Sequence, residues 1–535
     1  MRGADLLVKT LSAAKVDVIF SLSGNQIMPV YDACIDAGIR IVHVRHEGAA
    51  VYMAEAYAQL TGKVGVAMIT AAPGFASGLG PLFMARMGEN PVLLLSGDSP
   101  VGQDGRGAFQ ELDQVAISMP LTKYSDRPMK ADDLGASAAK AIRIALSGRP
   151  GPVHLALAFD VLNQETSAPV PTPADVAAEA MEPSTDAIKA VLDAVAGAKS
   201  PVILTGPLQN ASRARGGLAD LSDALDAVVI PMESPRGLKD PSLGNVGTVL
   251  AKADVIVSLG KNIDYTTGFG QAPAFGKDIR FLMIDPEDDV LARARRAMGD
   301  RMALAHKADA RAALAALIKA GKGGSARAAW RADAAAAIAA RTQVPARPAG
   351  APMHPAEVSA AIQRFLDGAE NPILIIDGGE AGQWAQACLT APTRIINGPS
   401  GAIGGCLCYA VAAKVVHPDA TVVVFMGDGT AGFHFAEFET AHRYGADFIA
   451  VIGHDSKWNA EYQIQLREYG PQRTYECELD DTRYDLAAAG FGCHGEHVTK
   501  KDDLDAALKR ASESGKPACV VAVIEGVPAP AGAGH

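Results

Sequence analysis

The chain has few of the features that mark secreted, redox or zinc proteins. Its seven cysteines, at positions 34, 388, 406, 408, 477, 493 and 519, are odd in number and form no Cys-x-x-Cys pair. We therefore expect reduced, structural thiols rather than a disulfide scaffold. His43, His434, His442 and His454 do not have the His-x-x-x-His spacing of a helical zinc site.

Long apolar runs and basic patches are also missing. No run of 18 uncharged apolar residues occurs, and Arg2, Asp5 and Lys9 interrupt the N-terminus. Neither a transmembrane helix nor a signal peptide is expected, and the predicted location is the cytoplasm. A net charge of −11 without a concentrated basic stretch argues against nucleic-acid and anionic-membrane partners. Small-molecule chemistry is the better expectation.

What the chain does have is length and strand-helix alternation. Its 535 residues, 49% of them hydrophobic, suit about three globular domains. Strand-like runs occur at 16–20, 39–44, 65–70, 92–96 and 153–157, then at 201–205, 227–230, 255–258 and 281–284, and again from 372–376 to 518–522. They alternate with helix-like stretches, as doubly wound parallel sheets require. The prediction is an α/β protein of three such domains, at 1–168, 185–340 and 353–535.

The most informative stretch lies at residues 424–455. An apolar strand breaks at Gly427-Asp428-Gly429, and a second buried-looking strand ends at Asp455, which is 455 − 428 = 27 residues later. This spacing places two hard oxygen ligands at neighbouring strand ends. The glycines let a diphosphate approach the backbone, so the pattern predicts Mg²⁺ with a diphosphate. The alternative is a strand end capped by a turn aspartate.

This stretch resembles the thiamin diphosphate signature, in which Gly-Asp-Gly opens the motif and Asn, less often Asp, closes it. The resemblance implies that Mg²⁺ is held by the side chains of Asp428 and Asp455 and by the backbone carbonyl of Lys457. It also implies a diphosphate cradle formed by Gly427, Gly429 and Thr430.

Glu47 carries a second, independent motif, because it follows the strand-like residues 41–44 and begins a helix. In thiamin diphosphate enzymes a glutamate after the second strand hydrogen-bonds the aminopyrimidine, and Glu47 matches it. The resemblance implies that Glu47 is catalytic and favours the imino tautomer that removes the thiazolium proton. Alone, a glutamate here would more often be a helix-start carboxylate.

Two further segments match cofactor contacts in the acetolactate synthase and pyruvate oxidase branch of that family, and the region around Trp458 departs from it. Gly379 and Glu380 lie in a glycine-rich loop that matches the diphosphate-contact loop in position, although the usual Gly-Gln-His is absent. Ile403 falls where the Gly-Thr-Met-Gly segment of acetolactate synthases places an apolar wedge under the cofactor; the alternative is a buried strand-to-helix turn. Trp458 is either a pocket wall or ordinary core.

On the substrate side, Ala-Phe-Gln-Glu at 108–111 and Thr-Lys at 122–123 resemble an acetolactate synthase segment. The resemblance implies that Phe109 and Gln110 line the substrate channel, with Lys123 in the catalytic set; the alternative is a solvated surface loop. At 23–26, Ser-Gly-Asn-Gln stands where those synthases have Pro-Gly-Gly-Ala. That departure would add hydrogen-bonding groups beside the reacting centre.

The middle domain lacks the Arg-Phe-Asp-Asp-Arg segment of flavin-binding synthases and has Gly-Lys-Asn-Ile-Asp at 260–264. Whether it binds FAD, ADP or no nucleotide is left open. The resemblance further implies a homodimer, often a dimer of dimers (a homotetramer), in which Glu47 of one subunit completes the metal site of its partner.

The leading hypothesis is a thiamin diphosphate- and Mg²⁺-dependent carboligase or decarboxylase, a transferase or lyase that acts on a 2-oxo acid through an enamine. An alternative is a C–C lyase resembling 2-hydroxyacyl-CoA lyase or oxalyl-CoA decarboxylase. Against it, no Lys or Arg follows Lys516, whereas a lid over a CoA phosphate would need them. A non-catalytic thiamin-fold binding protein is the alternative of another class.

Overall fold

Three parallel sheets organise the chain, which confirms the predicted α/β fold class. The computed structural model describes residues 1–530 except 343, 345, 346 and 349, so the end of the third predicted domain (531–535) lies outside the described residues. The predicted boundaries at 168, 185, 340 and 353 fall between the strands of successive sheets, but they stay predictions.

The first sheet has the strand order β2-β1-β3-β4-β6-β5. Its strands are β1 (Val18–Ser21), β2 (Arg40–His43), β3 (Gly65–Ile69), β4 (Val92–Asp98), β5 (Ser125–Asp126) and β6 (Val153–Ala158). Its helices are α1 (Gly3–Ala13), α2 (Met28–Ala37), α3 (Glu47–Thr61), α4 (Pro73–Ser77), α5 (Leu79–Met87), α6 (Gln114–Ser118), α7 (Leu134–Leu146) and α8 (Phe159–Asn163). Strands β3, β4 and β6 are buried throughout, as expected for central parallel strands with both faces covered.

The second sheet has the order β11-β10-β9-β7-β8. Its strands are β7 (Pro201–Thr205), β8 (Val228–Pro231), β9 (Val255–Leu259), β10 (Arg280–Asp285) and β11 (Met302–Lys307). Its helices are α9 (Thr185–Gly197), α10 (Ala211–Ala214), α11 (Gly217–Leu225), α12 (Val246–Lys252), α13 (Asp288–Met298), α14 (Ala310–Ala320) and α15 (Ala328–Ala339). We call this part of the chain the central domain.

The third sheet repeats the order of the first, as β13-β12-β14-β15-β17-β16. Its strands are β12 (Ile373–Ile376), β13 (Thr393–Ile396), β14 (Val422–Gly427), β15 (Ile449–His454), β16 (His494–Val498) and β17 (Ala518–Val523). Its helices are α16 (Pro355–Asp367), α17 (Gly379–Cys388), α18 (Cys406–Val416), α19 (Asp428–Ala431), α20 (Glu437–Tyr444), α21 (Asn459–Tyr469), α22 (Tyr484–Gly490) and α23 (Leu504–Glu513).

The first and third sheets share one apolar core across α3 and α18. The rings of Tyr52 and Tyr409 meet edge to face at 5.8 Å between centroids. The Tyr409 hydroxyl donates to the buried Glu55 carboxylate at 2.8 Å. This packing fixes the α3 segment, and with it Glu47, against the third sheet.

Candidate active site

The two predicted metal ligands lie at adjacent strand ends. Strands β14 and β15 pair in parallel with Gly427 opposite Gly453. Asp428 follows β14 and Asp455 follows β15 by one residue. The predicted juxtaposition of two carboxylates is therefore present.

Asp428 is 2% exposed and is held by a network of donors. Its Oδ1 accepts the Gly429 amide at 2.8 Å, and its Oδ2 accepts the Ser456 amide at 2.7 Å. Nδ1 of His454 lies 2.8 Å from the same Oδ2, while Nε2 lies 2.9 Å from Asp481 Oδ1. The hydrogen bond with Asp428 raises the pKa of His454. The network fixes the orientation of the Asp428 carboxylate.

Asp455 is a largely buried carboxylate close to the charge of Asp428. Burial, followed by the charge of Asp428, raises the pKa of Asp455 to about 7. The Lys457 amide donates to Asp455 Oδ1 at 3.2 Å, so the chain turns at this carboxylate and brings the Lys457 carbonyl into the same turn. A divalent cation would relieve the repulsion between the two carboxylates, and oxygen donors of this kind suit Mg²⁺.

The described residues contain no group of three or more His, Cys, Asp or Glu side chains arranged to hold a metal. A six-coordinate Mg²⁺ at Asp428 and Asp455 therefore needs further oxygens from a backbone carbonyl, phosphate or water.

Aromatic side chains cover the Gly-Asp-Gly turn. A Cβ on Gly429 would lie 2.8 Å from the Trp458 ring, and one on Gly404 would lie 2.5 Å from Phe433. The Trp458 and Phe433 rings meet at 6.2 Å, and Phe433 is 54% exposed. Trp458 is half-buried and packs on this turn, so it is not an ordinary core residue; its role as a pocket wall stays a prediction.

A cavity of about 260 Å³ lies beside Ile403 and the glycine-rich loop. Its lining includes Gly378, Gly379, Gln386, Asn397 and Ile403. Asn397 Oδ1 and Gln386 Oε1 are buried without a hydrogen-bond partner within the described part of the chain. Both are amide oxygens, so a ligand would satisfy them with an N–H or O–H donor, which an ionised diphosphate does not offer. Any diphosphate contact at this cavity would come from the backbone amides of Gly378 and Gly379.

The side chain of Glu380 is not suited to bind phosphate. Its carboxylate accepts the Gln383 amide at 3.0 Å, and burial raises the pKa of Glu380. A carboxylate would repel phosphate, so only backbone amides of this loop suit a diphosphate.

Glu47 is the first residue of α3 and is half-buried. Its Oε1 lies 3.3 Å from the position of a Cβ on Gly74. The preceding turn is anchored by the third sheet, because the Arg45 amide donates to Glu437 Oε1 at 3.0 Å. Among the described contacts of this single chain, none joins Glu47 to Asp428, Asp455 or Ile403.

Gln26 links the substrate-side residues. It is 6% exposed, its Nε2 donates to Gln110 Oε1 at 2.8 Å, and its Oε1 accepts the Thr70 hydroxyl at 2.7 Å. Gln110 has φ +60, a left-handed conformation that is uncommon outside glycine. Phe109 beside it is 77% exposed. The sequence comparison predicted an additional amide side chain at position 26, but it did not predict the hydrogen bond from this amide to Gln110.

Lys123 lies away from this cluster. Its ammonium donates to the carbonyls of Ile144 and Ser147, the latter at 2.6 Å, at the C-terminal end of α7. Burial lowers the pKa of Lys123 to about 8. These contacts favour a helix-capping role over the catalytic role predicted for it.

All seven cysteines are free, and six of them are buried. Burial raises the pKa of the Cys406 thiol.

No helix within the described residues is long and apolar enough to cross a membrane.

Comparisons with known proteins agree with the geometry. Residues 1–117 match the family described as "Thiamine pyrophosphate enzyme, N-terminal TPP binding domain", and residues 377–522 match its C-terminal TPP binding domain. The chain is 29% identical to an acetolactate synthase large subunit of Mycobacterium tuberculosis, over 97% of this chain and 95% of that protein. It is 29% identical to a probable acetolactate synthase large subunit of Methanocaldococcus jannaschii (98% and 92%) and 28% identical to 2-hydroxyacyl-CoA lyase 2 of Danio rerio (96% and 90%).

Proposed function

Because the chain belongs to the thiamin diphosphate-dependent enzymes of the acetolactate synthase family, which form or break C–C bonds, we propose that it is Mg²⁺-dependent and acts on a 2-oxo acid. The observation that carries the metal assignment is the pairing of Asp428 and Asp455 at adjacent strand ends. Burial and the neighbouring charge raise the pKa of Asp455 to about 7, as expected of a carboxylate placed to share a cation.

The residues of the third sheet would hold the cofactor. Asp428, Asp455 and the Lys457 carbonyl would bind Mg²⁺, while the amides around Gly379 and Gly429 would face the diphosphate. Ile403 would support the bend between the two cofactor rings. When bound, thiamin diphosphate supplies the carbanion chemistry that no amino-acid side chain provides.

Glu47 would hold and move a proton at the aminopyrimidine ring. In one chain it lies at the start of α3 and makes no described contact with Asp428. A partner subunit that presents its own third sheet to Glu47 would complete the site, so we propose a homodimer or a dimer of dimers. The Glu437 contact to the Arg45 amide would keep the Glu47 turn in place for that partner.

Phe109 and Gln110 would face the substrate, with Gln26 behind Gln110. The exposed Phe109 ring gives an apolar surface, and the amides give neutral hydrogen-bonding groups. Neutral donors suit a carbonyl or carboxylate substrate without adding a competing general acid.

A 2-hydroxyacyl-CoA lyase is the second candidate, favoured by the relatives of that name, which match over 94% or more of this chain. Residues 527–529 pack over α17 and α21: the Val527 carbonyl accepts from Asn459 and the Pro528 carbonyl from Trp384, each at 2.9 Å. This segment carries no cation for a CoA phosphate. The balance therefore favours a 2-oxo acid.

Calorimetric titration with thiamin diphosphate tests the proposed site. We expect saturable binding with Mg²⁺ and at least tenfold weaker binding with EDTA. Asp428→Ala should abolish the Mg²⁺ effect, whereas Asp447→Ala, a matched change at a half-exposed aspartate before β15, should not. Equal binding with and without the metal would contradict the proposal.

A further inference from the structure

The central sheet has the kind of crevice at which open α/β sheets bind nucleotides. In the order β11-β10-β9-β7-β8, the connections after β7 and β9 leave in opposite directions, so the switch point lies between these strands. Ligands bind outside the carboxyl ends of strands at such points. Here Gly206 and Gly260 follow those two strands.

This crevice is filled by side chains of the protein itself. The space left between Glu89, Arg149, Gly206 and Gly260 is about 10 Å³. Arg149 is 11% exposed on its side chain and pairs with Glu89 and Asp285, while its Nε donates to Glu287 at 3.0 Å. A flavin or adenine nucleotide does not fit.

Glu89 reaches the crevice from the first domain. It lies in the turn between α5 and β4 with φ +57, is 5% exposed, and its Oε2 accepts the Leu208 amide at 2.9 Å. Leu208 belongs to the loop after β7, where backbone amides commonly face a phosphate. The Glu89 carbonyl in turn accepts from Arg213 at 2.8 Å.

We infer that the Glu89 carboxylate is the resident anion of the central domain, bound to the Leu208 amide and Arg149 where a nucleotide phosphate would bind. The crevice between β7 and β9 is therefore closed to nucleotides, and this carboxylate joins it to the first domain. An incoming phosphate would have to displace Glu89 and would also lie beside Asp285 and Glu287.

The test uses the full chain saturated with thiamin diphosphate and Mg²⁺, so that the cofactor site is filled. Glu89→Ala should leave a hole for one small carboxylate, and sodium formate should raise its Tm more than sodium chloride at equal ionic strength. Wild type and Glu179→Ala, a matched change at an exposed glutamate paired with Arg143, should show no such difference. The inference would be overturned if formate raised the Tm of Glu89→Ala no more than chloride does.

Nucleotide binding gives the second readout. Wild type should purify without flavin absorbance. Titration of wild type with ADP or FAD should show no binding that is lost in Arg149→Met. A wild-type site lost in Arg149→Met would overturn the inference. If Glu89→Ala does not fold, Glu89→Gln is the replacement variant, because it keeps the side-chain volume and removes the charge. Its Tm should be lower than that of wild type and of Glu179→Ala. An unchanged Tm of Glu89→Gln would also overturn the inference.

Discussion

At the scale of single residues, the proposed site has groups that would hold the cofactor and groups that would face the substrate. Asp428 and Asp455 accept hydrogen bonds from backbone amides, at 2.7 and 3.2 Å, whereas Phe109 is open to solvent. Glu47 belongs to neither set within one chain, because its turn is held from behind by Glu437. Its predicted effect is therefore on proton transfer rather than on metal binding.

Glu47→Gln removes the proton-donating carboxyl while keeping the side-chain volume. We expect kcat to fall by at least a hundredfold, the lower range for losing a general acid-base group. Thiamin diphosphate affinity should change by less than tenfold. Steady-state kinetics and calorimetry on one preparation check both values. A parallel loss of binding and turnover would assign Glu47 to cofactor binding instead.

Gln26→Ala removes the amide that contacts Gln110 and Thr70. We expect kcat/KM to fall about tenfold, which corresponds to about 1.4 kcal/mol, because Gln110 loses its donor and its left-handed conformation loses support. Gln472→Ala, the same change at an exposed position outside the candidate site, is the matched control. Equal kinetics for the two variants would mean that Gln26 has no positioning role.

Residue identity alone predicted some of these positions and not others. Asp428 and Asp455 were predicted because each follows an apolar strand that the sequence marks clearly, whereas Glu47 was predicted only from the family resemblance. Lys123 was predicted within a catalytic segment, yet its ammonium lies at the end of α7. No local pattern shows where a long, flexible side chain will find its acceptors.

At the scale of elements, buried strands were easier to predict than edge strands. The apolar runs of β3, β4, β7 and β9 are evident because both faces are covered. The strands β5, β11, β13 and β16 were not identified, and each lies at the edge of its sheet. Edge strands carry polar residues on their half-exposed faces, so their apolar signal is weak.

The contact between α20 and the start of α3 gives a prediction on pH. Burial raises the pKa of Glu437 from 4.5 to about 7. Folding therefore favours the protonated form of Glu437. Its stabilising contribution to the free energy of unfolding is fully present below pH 4.5 and is lost as pH rises to about 7. The loss amounts to at most about 3 kcal/mol.

Glu437→Gln should lack the pH dependence of stability that the Glu437 carboxyl gives to wild type. The free energy of unfolding of wild type minus that of Glu437→Gln should decrease as pH rises across this window, measured by urea denaturation. Glu370→Gln, at an exposed position, should parallel wild type. A difference that grows with pH would contradict the assigned direction.

At the scale of the whole molecule, the three parallel sheets and the family followed from the sequence, whereas the closure of the central domain did not. That closure depends on Arg149, which pairs with Glu89 and with Asp285 although both carboxylates are distant from it in sequence. The absent Arg-Phe-Asp-Asp-Arg segment pointed away from flavin but gave no hint of the group that replaces it.

A shared active site predicts complementation between two inactive variants. When Glu47→Gln and Asp428→Ala chains are co-expressed, half of randomly assorted dimers are mixed, and each mixed dimer has one intact site. Activity should recover to about a quarter of the wild-type value. Each variant expressed alone is the control. No recovery in verified mixed dimers would place Glu47 and Asp428 of one site on the same chain.

The most direct measurement is pyruvate turnover by the full chain loaded with thiamin diphosphate and Mg²⁺, followed as CO₂ release together with acetolactate formation. The account predicts both products from wild type and neither from Asp428→Ala. Tight cofactor binding with no CO₂ from pyruvate or longer 2-oxo acids, but with cleavage of a 2-hydroxyacyl-CoA, would contradict the assignment to 2-oxo acids.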